Sequence, residues 1–105
     1  MNNYTNVEVS KSANIYFGGK VISRNIFLKD GSKKSLGVML VGEYEFKTIS
    51  REVLEIISGK LNFKVDDTDN WQLVKEGMSF NVPKKSAFKV KVLELVNYTC
   101  SYIEE

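Results

Sequence analysis

The chain has 105 residues, of which 43% are hydrophobic, including six Phe and five Tyr; this supports one folded core and excludes a disordered protein. Its 15 basic and 13 acidic residues leave a net charge of +2, well below the surplus typical of domains that bind duplex nucleic acid. Small anions such as phosphate remain compatible partners.

Cysteine usage and the first residues predict a cytoplasmic protein. Cys100 is the only cysteine, so no intramolecular disulfide can form, and its apolar neighbours favour a buried, unreactive thiol. Residues 1–6 contain neither a basic nor an apolar segment of the signal-peptide type, and no apolar run approaches membrane-spanning length. We therefore expect neither a membrane nor a nucleic acid as partner.

In chain order, the first clear pattern predicts a β-hairpin. Residues 21–28 are rich in β-branched and aromatic side chains and are followed by Asp30-Gly31, a dipeptide that favours a hairpin turn. The chain is then predicted to return through residues 35–41. Residues 43–49 alternate with a two-residue period, which predicts a strand with charged side chains on one face.

The next segment is ambiguous between a helical turn and a strand. Residues 53–57 are β-branched and end at Ser58-Gly59-Lys60, so we favour a strand that closes in a hairpin, followed by a second strand over residues 61–65. Further strands are predicted over residues 71–74, 79–82, 87–92 and 98–103. Many short strands separated by turns are typical of an all-β sandwich or barrel.

Alternation along these strands predicts one interior face, made of Tyr44, Phe46, Thr48, Glu52, Leu54, Phe80, Phe88, Val90, Cys100 and Tyr102. Most of these side chains are expected to be plain core, because small barrels fill their interiors. Glu52 is the exception, because a carboxylate is costly to bury without partners. It either lies in solvent at a strand entrance or accepts hydrogen bonds from the hydroxyl groups of a ligand, and both interpretations stay open.

Basic and aromatic side chains supply the other candidate ligand contacts. The basic candidates are Arg24, Lys33, Lys34, Arg51, Lys84 and Lys85, each of which is either a solvated surface charge or a phosphate ligand at a barrel mouth. The aromatic candidates are Tyr44, Phe46, Phe88 and Tyr102, which either are core or form a slot for a flat heterocycle.

The spacing around Glu52 resembles the two motifs of cupin barrels. The first block is Phe46-x-Thr48, Glu52 and Gly59, and the second is Gly77-x5-Pro83-x-Lys85-x2-Phe88. Metal-binding cupins carry histidines at three positions that are Phe46, Thr48 and Phe88 here, and the chain contains no histidine. One carboxylate cannot replace three imidazole ligands. We therefore expect no metal and no other cofactor, and a metal-dependent oxygenase or isomerase is the least favoured hypothesis.

Further blocks resemble the small cupin-type pyrimidine/purine nucleoside phosphorylase family. They are Tyr16-Phe17-x-Gly19-Lys20-Val21, Gly37-Val38-Met39-x-x-Gly42-Glu43-Tyr44-x-Phe46-x-Thr48, Ile57-Ser58-Gly59, Trp71-Gln72, Gly77-x-x-Phe80-x-Val82-Pro83 and Tyr98-x-Cys100-x-Tyr102. The resemblance implies an all-β, single-domain cupin, a jelly-roll-like β-barrel, at residues 16–105 after an N-terminal tail at residues 1–15. It also implies a homodimeric, metal-independent glycosyltransferase that reversibly converts many nucleosides and inorganic phosphate to ribose 1-phosphate and a free purine or pyrimidine base.

Phosphorolysis of an N-glycosidic bond gives each candidate a role. Glu52 is the expected catalytic residue, holding the ribose hydroxyls and stabilising positive charge on the sugar. Phosphate is assigned to Lys33 or Arg51, and the base and sugar to Tyr44, Phe46, Thr48, Phe88 and Tyr102. Because stacking detects no hydrogen-bonding edge, broad specificity is expected. A non-enzymatic cupin that binds a nucleoside or sugar remains the alternative.

Overall fold

A computed structural model describes residues 3–104, and its elements are almost entirely antiparallel β-strands. The strands are β1 (Glu8–Val9), β2 (Asn14–Tyr16), β3 (Val21–Phe27), β4 (Lys33–Met39), β5 (Gly42–Lys47), β6 (Arg51–Val65), β7 (Gln72–Lys75), β8 (Ser79–Val82) and β9 (Ala87–Ile103). A 3-10 turn, Phe17–Gly19, joins β2 to β3. Residues 3–104 contain no helix with the length and apolar character needed to span a bilayer.

Two long strands, β6 and β9, run through the middle of the fold and take part in both of its layers. The C-terminal half of β9 pairs with β4 and with the N-terminal half of β6. The layer then extends through β3 on one side and β8 on the other. The N-terminal half of β9 pairs with β5 and with the C-terminal half of β6, which carries β7 at its edge. The predicted all-β roll is confirmed, although its sheet does not close into a continuous barrel in the described part of the chain.

The predicted hairpin at Ser58-Gly59-Lys60 is wrong, because β6 continues through these residues. The pairing register with β9 shifts repeatedly between Ile56 and Leu61, which is the signature of bulges that bend a strand and leave it continuous. Gly59 has φ +90°, and a Cβ there would overlap the carbonyl oxygen of Leu95 on β9. The sequence pattern of a turn therefore marks a bulge where β6 passes from one layer to the other.

The predicted interior face is confirmed. Tyr44, Thr48, Leu54, Phe80, Phe88, Val90 and Cys100 are buried, and Phe46, Glu52 and Tyr102 are half-buried. The aromatic rings of Phe63 and Phe80 stack at 4.1 Å between centroids. Each large apolar side chain removed from water stabilises the fold by about 1.5–3 kcal/mol. The buried apolar side chains form one core cluster, against which the half-buried Phe46 and Tyr102 pack.

Part of the segment expected as an N-terminal tail joins the sheet. Val9 pairs with Ile26 and Asn14 pairs with Ser23, so both β1 and β2 add to the edge formed by β3. This pairing brings Asn14 to the opening of the roll.

Candidate active site

The roll opens into a cavity of about 440 Å³ that Glu52 lines. Its walls come from β2, β3, β4, β5, β6, β9 and the Phe17–Gly19 turn. One wall is aromatic and apolar, a second carries amide and hydroxyl groups, and the mouth carries charged side chains. A cavity that combines an apolar surface with a few polar groups is the usual form of a small-molecule site.

A row of side chains across three strands places Glu52 beside a lysine. Glu52 on β6 pairs directly with Tyr102 on β9, and Lys33 lies at the next register position on β4. The Lys33 ammonium group sits 4.4 Å from the centroid of the Tyr102 ring, a cation–π contact. The Tyr102 hydroxyl is hydrogen-bonded to that of Ser35 at 3.0 Å. The carboxyl group is thus fixed next to a positive charge at the cavity mouth.

The Glu52 carboxyl is partly removed from water. Burial raises its pKa, while a hydrogen bond from Cys100 and the positive charge of Lys33 act in the opposite direction. Burial, and then the charge of Glu52, raise the pKa of the Cys100 thiol far above its usual range, which keeps that thiol protonated as the donor. Burial also raises the pKa of Tyr102. A carboxyl with a shifted pKa in a cavity is a candidate functional group.

The aromatic wall is built from three phenylalanines. Phe46 and Phe88 face each other across β5 and β9 and stack at 5.4 Å with an interplanar angle of 27°. Phe17 meets Phe46 edge-on at 5.5 Å. Phe17 has φ +53°, a left-handed conformation that is rare and costly for a bulky residue. The turn therefore holds an aromatic ring at the cavity in a conformation that its side chain disfavours.

A second cavity of about 680 Å³ adjoins the first at its charged mouth. Lys33, Lys47, Glu52 and Tyr102 line both cavities. The second cavity is also lined by the 30–32 turn, which includes Asp30, and by Ile49, Ser50 and Glu104. Lys33 and Lys47 therefore lie where the two cavities meet, and their ammonium groups can bind a small anion there.

Comparison with known proteins identifies the family to which this arrangement belongs. Residues 11–102 match the family model described as pyrimidine/purine nucleoside phosphorylase. The chain is 47% identical over 104 residues to the Geotalea uraniireducens protein of that name, covering 99% of this chain and 100% of the relative. The chain belongs to the pyrimidine/purine nucleoside phosphorylase family.

Solved structures confirm the fold expected for this phosphorylase family. A protein of unknown function from Acinetobacter sp. ADP1 superposes with a TM-score of 0.93 at 39% identity, covering 96% of this chain and 98% of its own. A protein described as a putative mannose-6-phosphate isomerase from Ralstonia eutropha JMP134 gives a TM-score of 0.70 at 11% identity, covering 90% and 94%. The second likeness shows a shared cupin fold only, and the cupin prediction is confirmed.

Five of the residues predicted for the phosphorylase site line the first cavity: Lys33, Phe46, Glu52, Phe88 and Tyr102. The other three do not line it. The Tyr44 hydroxyl donates to the carbonyl oxygen of Leu40 at 2.7 Å, and the Thr48 hydroxyl donates to that of Pro83 at 2.6 Å. Arg51 donates to Asn81 at 3.0 Å and lines neither cavity. Tyr44 and Thr48 thus support the wall, and Lys33 is the better-placed phosphate candidate.

Several cavity residues were missed by the sequence analysis, namely Asn14, Tyr16, Phe17, Ser23, Asn25, Met39, Glu45, Lys47 and Tyr98. Most lie in β2, β3 and the turn between them, where uncharged residues such as Asn14 and Ser23 match no motif. The block Tyr16-Phe17-x-Gly19 was the available signal for Phe17, because two nearby glycines with positive φ shape its turn.

In the part of the chain that the structure describes, the cavity lacks the cluster of side chains that a metal ion would need as ligands. Among residues 3–104, His, Cys, Asp and Glu nowhere form a group of three or more that could hold an ion. The polar groups of the cavity are the two carboxyl groups of Glu45 and Glu52, two lysines, amides, hydroxyls and a thiol. These side chains can donate and accept hydrogen bonds and carry charges of both signs.

Proposed function

We propose that the protein is a pentosyltransferase that converts a nucleoside and inorganic phosphate to ribose 1-phosphate and the free base, reversibly and without a metal ion. Membership of the family and the names of the relatives support this reaction. The observation that carries it is the position of Glu52, a half-buried carboxyl between an aromatic wall and two lysines. The alternative, a cupin that binds nucleosides without turnover, is separated from it by assay.

The bond changes of this reaction fit the groups present. An oxygen of hydrogen phosphate bonds to C1′ of the ribose while the C1′–N bond breaks, and its electron pair passes to the base. The proton that hydrogen phosphate carried ends on the base nitrogen, so the equation balances without a further reactant. Positive charge develops on the sugar during this exchange. A carboxylate held at that position stabilises the charge and also accepts hydrogen bonds from the ribose hydroxyls.

Phosphate is placed at the junction of the two cavities, where Lys33 and Lys47 line both. Ammonium groups bind phosphate oxygens by charge-assisted hydrogen bonds. Tyr102 holds Lys33 in place through its ring, and Glu52 on the neighbouring strand marks the sugar position. Phosphate and sugar are thus brought side by side, and positioning of two reactants supplies a large part of a barrier reduction.

The base is placed against Phe17, Phe46 and Phe88. Ring stacking tolerates any heterocycle, because every base has a π-face. This wall therefore supports acceptance of both purine and pyrimidine nucleosides.

A second copy of the chain is the proposed partner. Ile22, Leu36 and Ile57 are 40%, 41% and 51% exposed, respectively, on the outer face of the layer formed by β3, β4, β9 and β6. Apolar side chains clustered on a sheet face mark an interaction surface. The proposed homodimer pairs these faces and leaves the cavity on the opposite side. A reducing compartment, the cytoplasm, is the proposed location because Cys100 is a buried free thiol.

Incubation with uridine or adenosine tests the proposed reaction. Free base and ribose 1-phosphate are expected when phosphate is present, and neither when it is omitted. EDTA is expected to leave the rate unchanged, and ribose 1-phosphate with a free base is expected to give the nucleoside. Base release without phosphate would indicate a hydrolase, and tight binding without turnover would indicate the non-enzymatic alternative.

The role of Glu52 is tested by Glu52→Gln, with Glu55→Gln as the matched control. Glu55 lies on the same strand and is exposed on the outer face. The first substitution is expected to lower turnover about 100-fold or more, because it removes a charge aimed at the developing cation. The control is expected to retain full activity. Equal rates for the two variants would remove Glu52 from the mechanism.

A further inference from the structure

Two asparagines and a serine form a polar cluster in the cavity wall made by β2 and β3, beside the strand β4 that carries Lys33. Asn14 on β2 pairs with Ser23 on β3, and Asn25 follows two residues later on the same strand. All three residues line the cavity that contains Glu52. None carries charge, so the cluster offers hydrogen bonds to a neutral part of a ligand.

The internal hydrogen bonds of this cluster use up only part of its capacity. Asn14 Nδ2 donates to Ser23 Oγ at 3.2 Å and to Asn25 Oδ1 at 3.0 Å. Among residues 3–104, these are the hydrogen bonds that the two amide side chains make. Asn14 Oδ1 is left as an acceptor and Asn25 Nδ2 as a donor.

This combination of one acceptor and one donor does not depend on which way the linked amides are turned. If both amides are rotated by half a turn, Asn25 Nδ2 donates to Asn14 Oδ1, and Asn14 Nδ2 and Asn25 Oδ1 are left. A hydrogen bond between two amide groups consumes one donor and one acceptor in either case. The pair, whose two residues line the cavity, therefore always keeps one donor group and one acceptor group beyond its internal bonds.

The geometry points to Asn14 and Asn25 as the residues that recognise the edge of the base, an inference that rests on the proposed nucleoside phosphorylase activity. Proteins that take a single base into a pocket stack it on apolar rings and hydrogen-bond its Watson–Crick edge. Uracil offers N3–H beside a carbonyl oxygen, and guanine and hypoxanthine offer N1–H beside O6. Cytosine and adenine offer an amino group beside a ring nitrogen. Each base thus has an adjacent donor and acceptor that one amide pair can bind.

The position of the pair relative to the aromatic wall and Glu52 supports this assignment. Asn14 is on β2 and Phe17 follows that strand directly, so one short segment carries both an edge contact and a stacking ring. Asn25 shares a register row with Leu54, three strands away, a separation of about 14 Å along the sheet. Glu52 is two residues from Leu54. A nucleoside whose sugar lies at Glu52 therefore directs its base toward the amides.

Recognition of this kind accepts many bases but discriminates against a base whose hydrogen-bonding edge is blocked. Stacking alone would accept a base whose edge is blocked, whereas an amide pair rejects it because buried polar groups lose their partners. A comparison of kcat/KM for uridine and 3-methyluridine tests this expectation, since the methyl group removes the N3 donor. The wild-type protein is expected to prefer uridine about tenfold or more in kcat/KM. Inosine and 1-methylinosine are expected to differ in the same way.

Variants of the pair separate recognition from a structural role. Asn14→Ala and Asn25→Asp are expected to bring the ratio of kcat/KM for uridine to that for 3-methyluridine toward one, mainly by raising KM for uridine. Asn25→Asp keeps an acceptor to which Asn14 Nδ2 can donate and leaves the pair without a free donor, so it is expected to preserve the fold. Asn81→Ala, an exposed asparagine outside this cavity, is the control and is expected to keep the wild-type ratio. Variants that slow both nucleosides equally would overturn the inference.

The outcome distinguishes this inference from the proposed reaction. If the wild-type protein releases base from uridine and from 3-methyluridine at equal kcat/KM, the phosphorylase stands and the edge contact is excluded. If it releases no base, calorimetric titration with the same two nucleosides gives the ratio of their Kd values. A tenfold preference for uridine then supports the edge contact without catalysis, and equal or absent binding overturns it.

Discussion

The Cys100 thiol donates a hydrogen bond across 3.5 Å to Oε1 of Glu52, diagonally between β9 and β6. Cys100 itself pairs with Leu54, so the thiol reaches the carboxyl group of the next inward-facing residue. Its pKa is raised by burial and by the charge of Glu52, so it stays a protonated donor. The cysteine is thus a fixed partner of the carboxyl group and is not available as a nucleophilic thiolate.

Removal of this donor is expected to shift the acidic limb of the pH–rate profile. The bond from Cys100 lowers the pKa of Glu52, so Cys100→Ala is expected to raise that pKa and to move the limb toward higher pH. Cys100→Ser keeps a donor and is expected to remain closer to wild type. Profiles of kcat/KM for uridine check this expectation, and coincident limbs for all three proteins would contradict it.

Glu52 is expected to reduce the stability of the fold at neutral pH. Its folded-state pKa is raised, so folding favours the protonated form, and stability falls as pH rises from the unfolded value of about 4.5 through the folded value. Glu52→Gln is therefore expected to melt a few degrees higher than wild type at pH 7 while losing activity. The difference should shrink as pH approaches 4, where both side chains are uncharged.

Thermal unfolding of both proteins between pH 4 and pH 8 measures this difference. Glu55→Gln is again the control, because Glu55 is exposed on the same strand. A wild-type protein that is more stable than Glu52→Gln at pH 7 would contradict this expectation. It would mean that the interactions of the carboxylate with Lys33 and Cys100 stabilise the fold by more than burial of the charge destabilises it.

The two-residue alternation of side chains predicted the strands and the inward face. It could not predict how the strands continue or bend. The alternation in residues 43–49 and 87–92 correctly gave the buried positions Tyr44, Phe88 and Val90. In contrast, Gly59 looked like a turn because its requirement for positive φ is the same in a hairpin and in a bulge. The deciding contact is with Leu95, far along the chain, and no local pattern contains it.

The candidate site shows the same division between local and distant information. The acidic and aromatic positions of the two cupin motifs correctly indicated Glu52, Phe46 and Phe88 as cavity residues. Asn14 and Asn25 were missed, because only the pairing of β2 with β3 brings an ordinary asparagine near the start of the chain to the cavity. Long-range pairing, and not residue type, assigns them to the wall.

Lys33 is expected to govern the affinity for phosphate. A hydrogen bond to a charged group contributes about 1.5–3 kcal/mol, so Lys33→Ala is expected to raise KM for phosphate about tenfold or more. Lys34→Ala removes a neighbouring charge that instead contacts Ser101, and Arg51→Ala removes one that contacts Asn81. Both controls are expected to stay within about twofold of wild type. A larger effect of Arg51→Ala than of Lys33→Ala would transfer the phosphate site to Arg51.

A side chain at Gly37 is expected to destabilise the protein, because the Tyr98 ring occupies the space above it. A Cβ at Gly37 would lie 2.6 Å from Cζ and from the hydroxyl oxygen of Tyr98, which pairs with it across β4 and β9 and lines the cavity. Gly37→Ala is expected to destabilise the protein by about 1–3 kcal/mol, the usual cost of overpacking, and to raise KM for uridine. Urea unfolding and steady-state kinetics measure the two effects.

A second substitution shows whether the ring of Tyr98 is the cause of that destabilisation. In Tyr98→Ala the ring is absent, so adding Gly37→Ala to this background is expected to cost little further stability. Wild type, the two single variants and the double variant form a cycle. The double variant is expected to be more stable, by about 1 kcal/mol or more, than the sum of the two single effects predicts. Additive effects of the two substitutions would show instead that Gly37 is required for its backbone and not for the space it leaves to the ring.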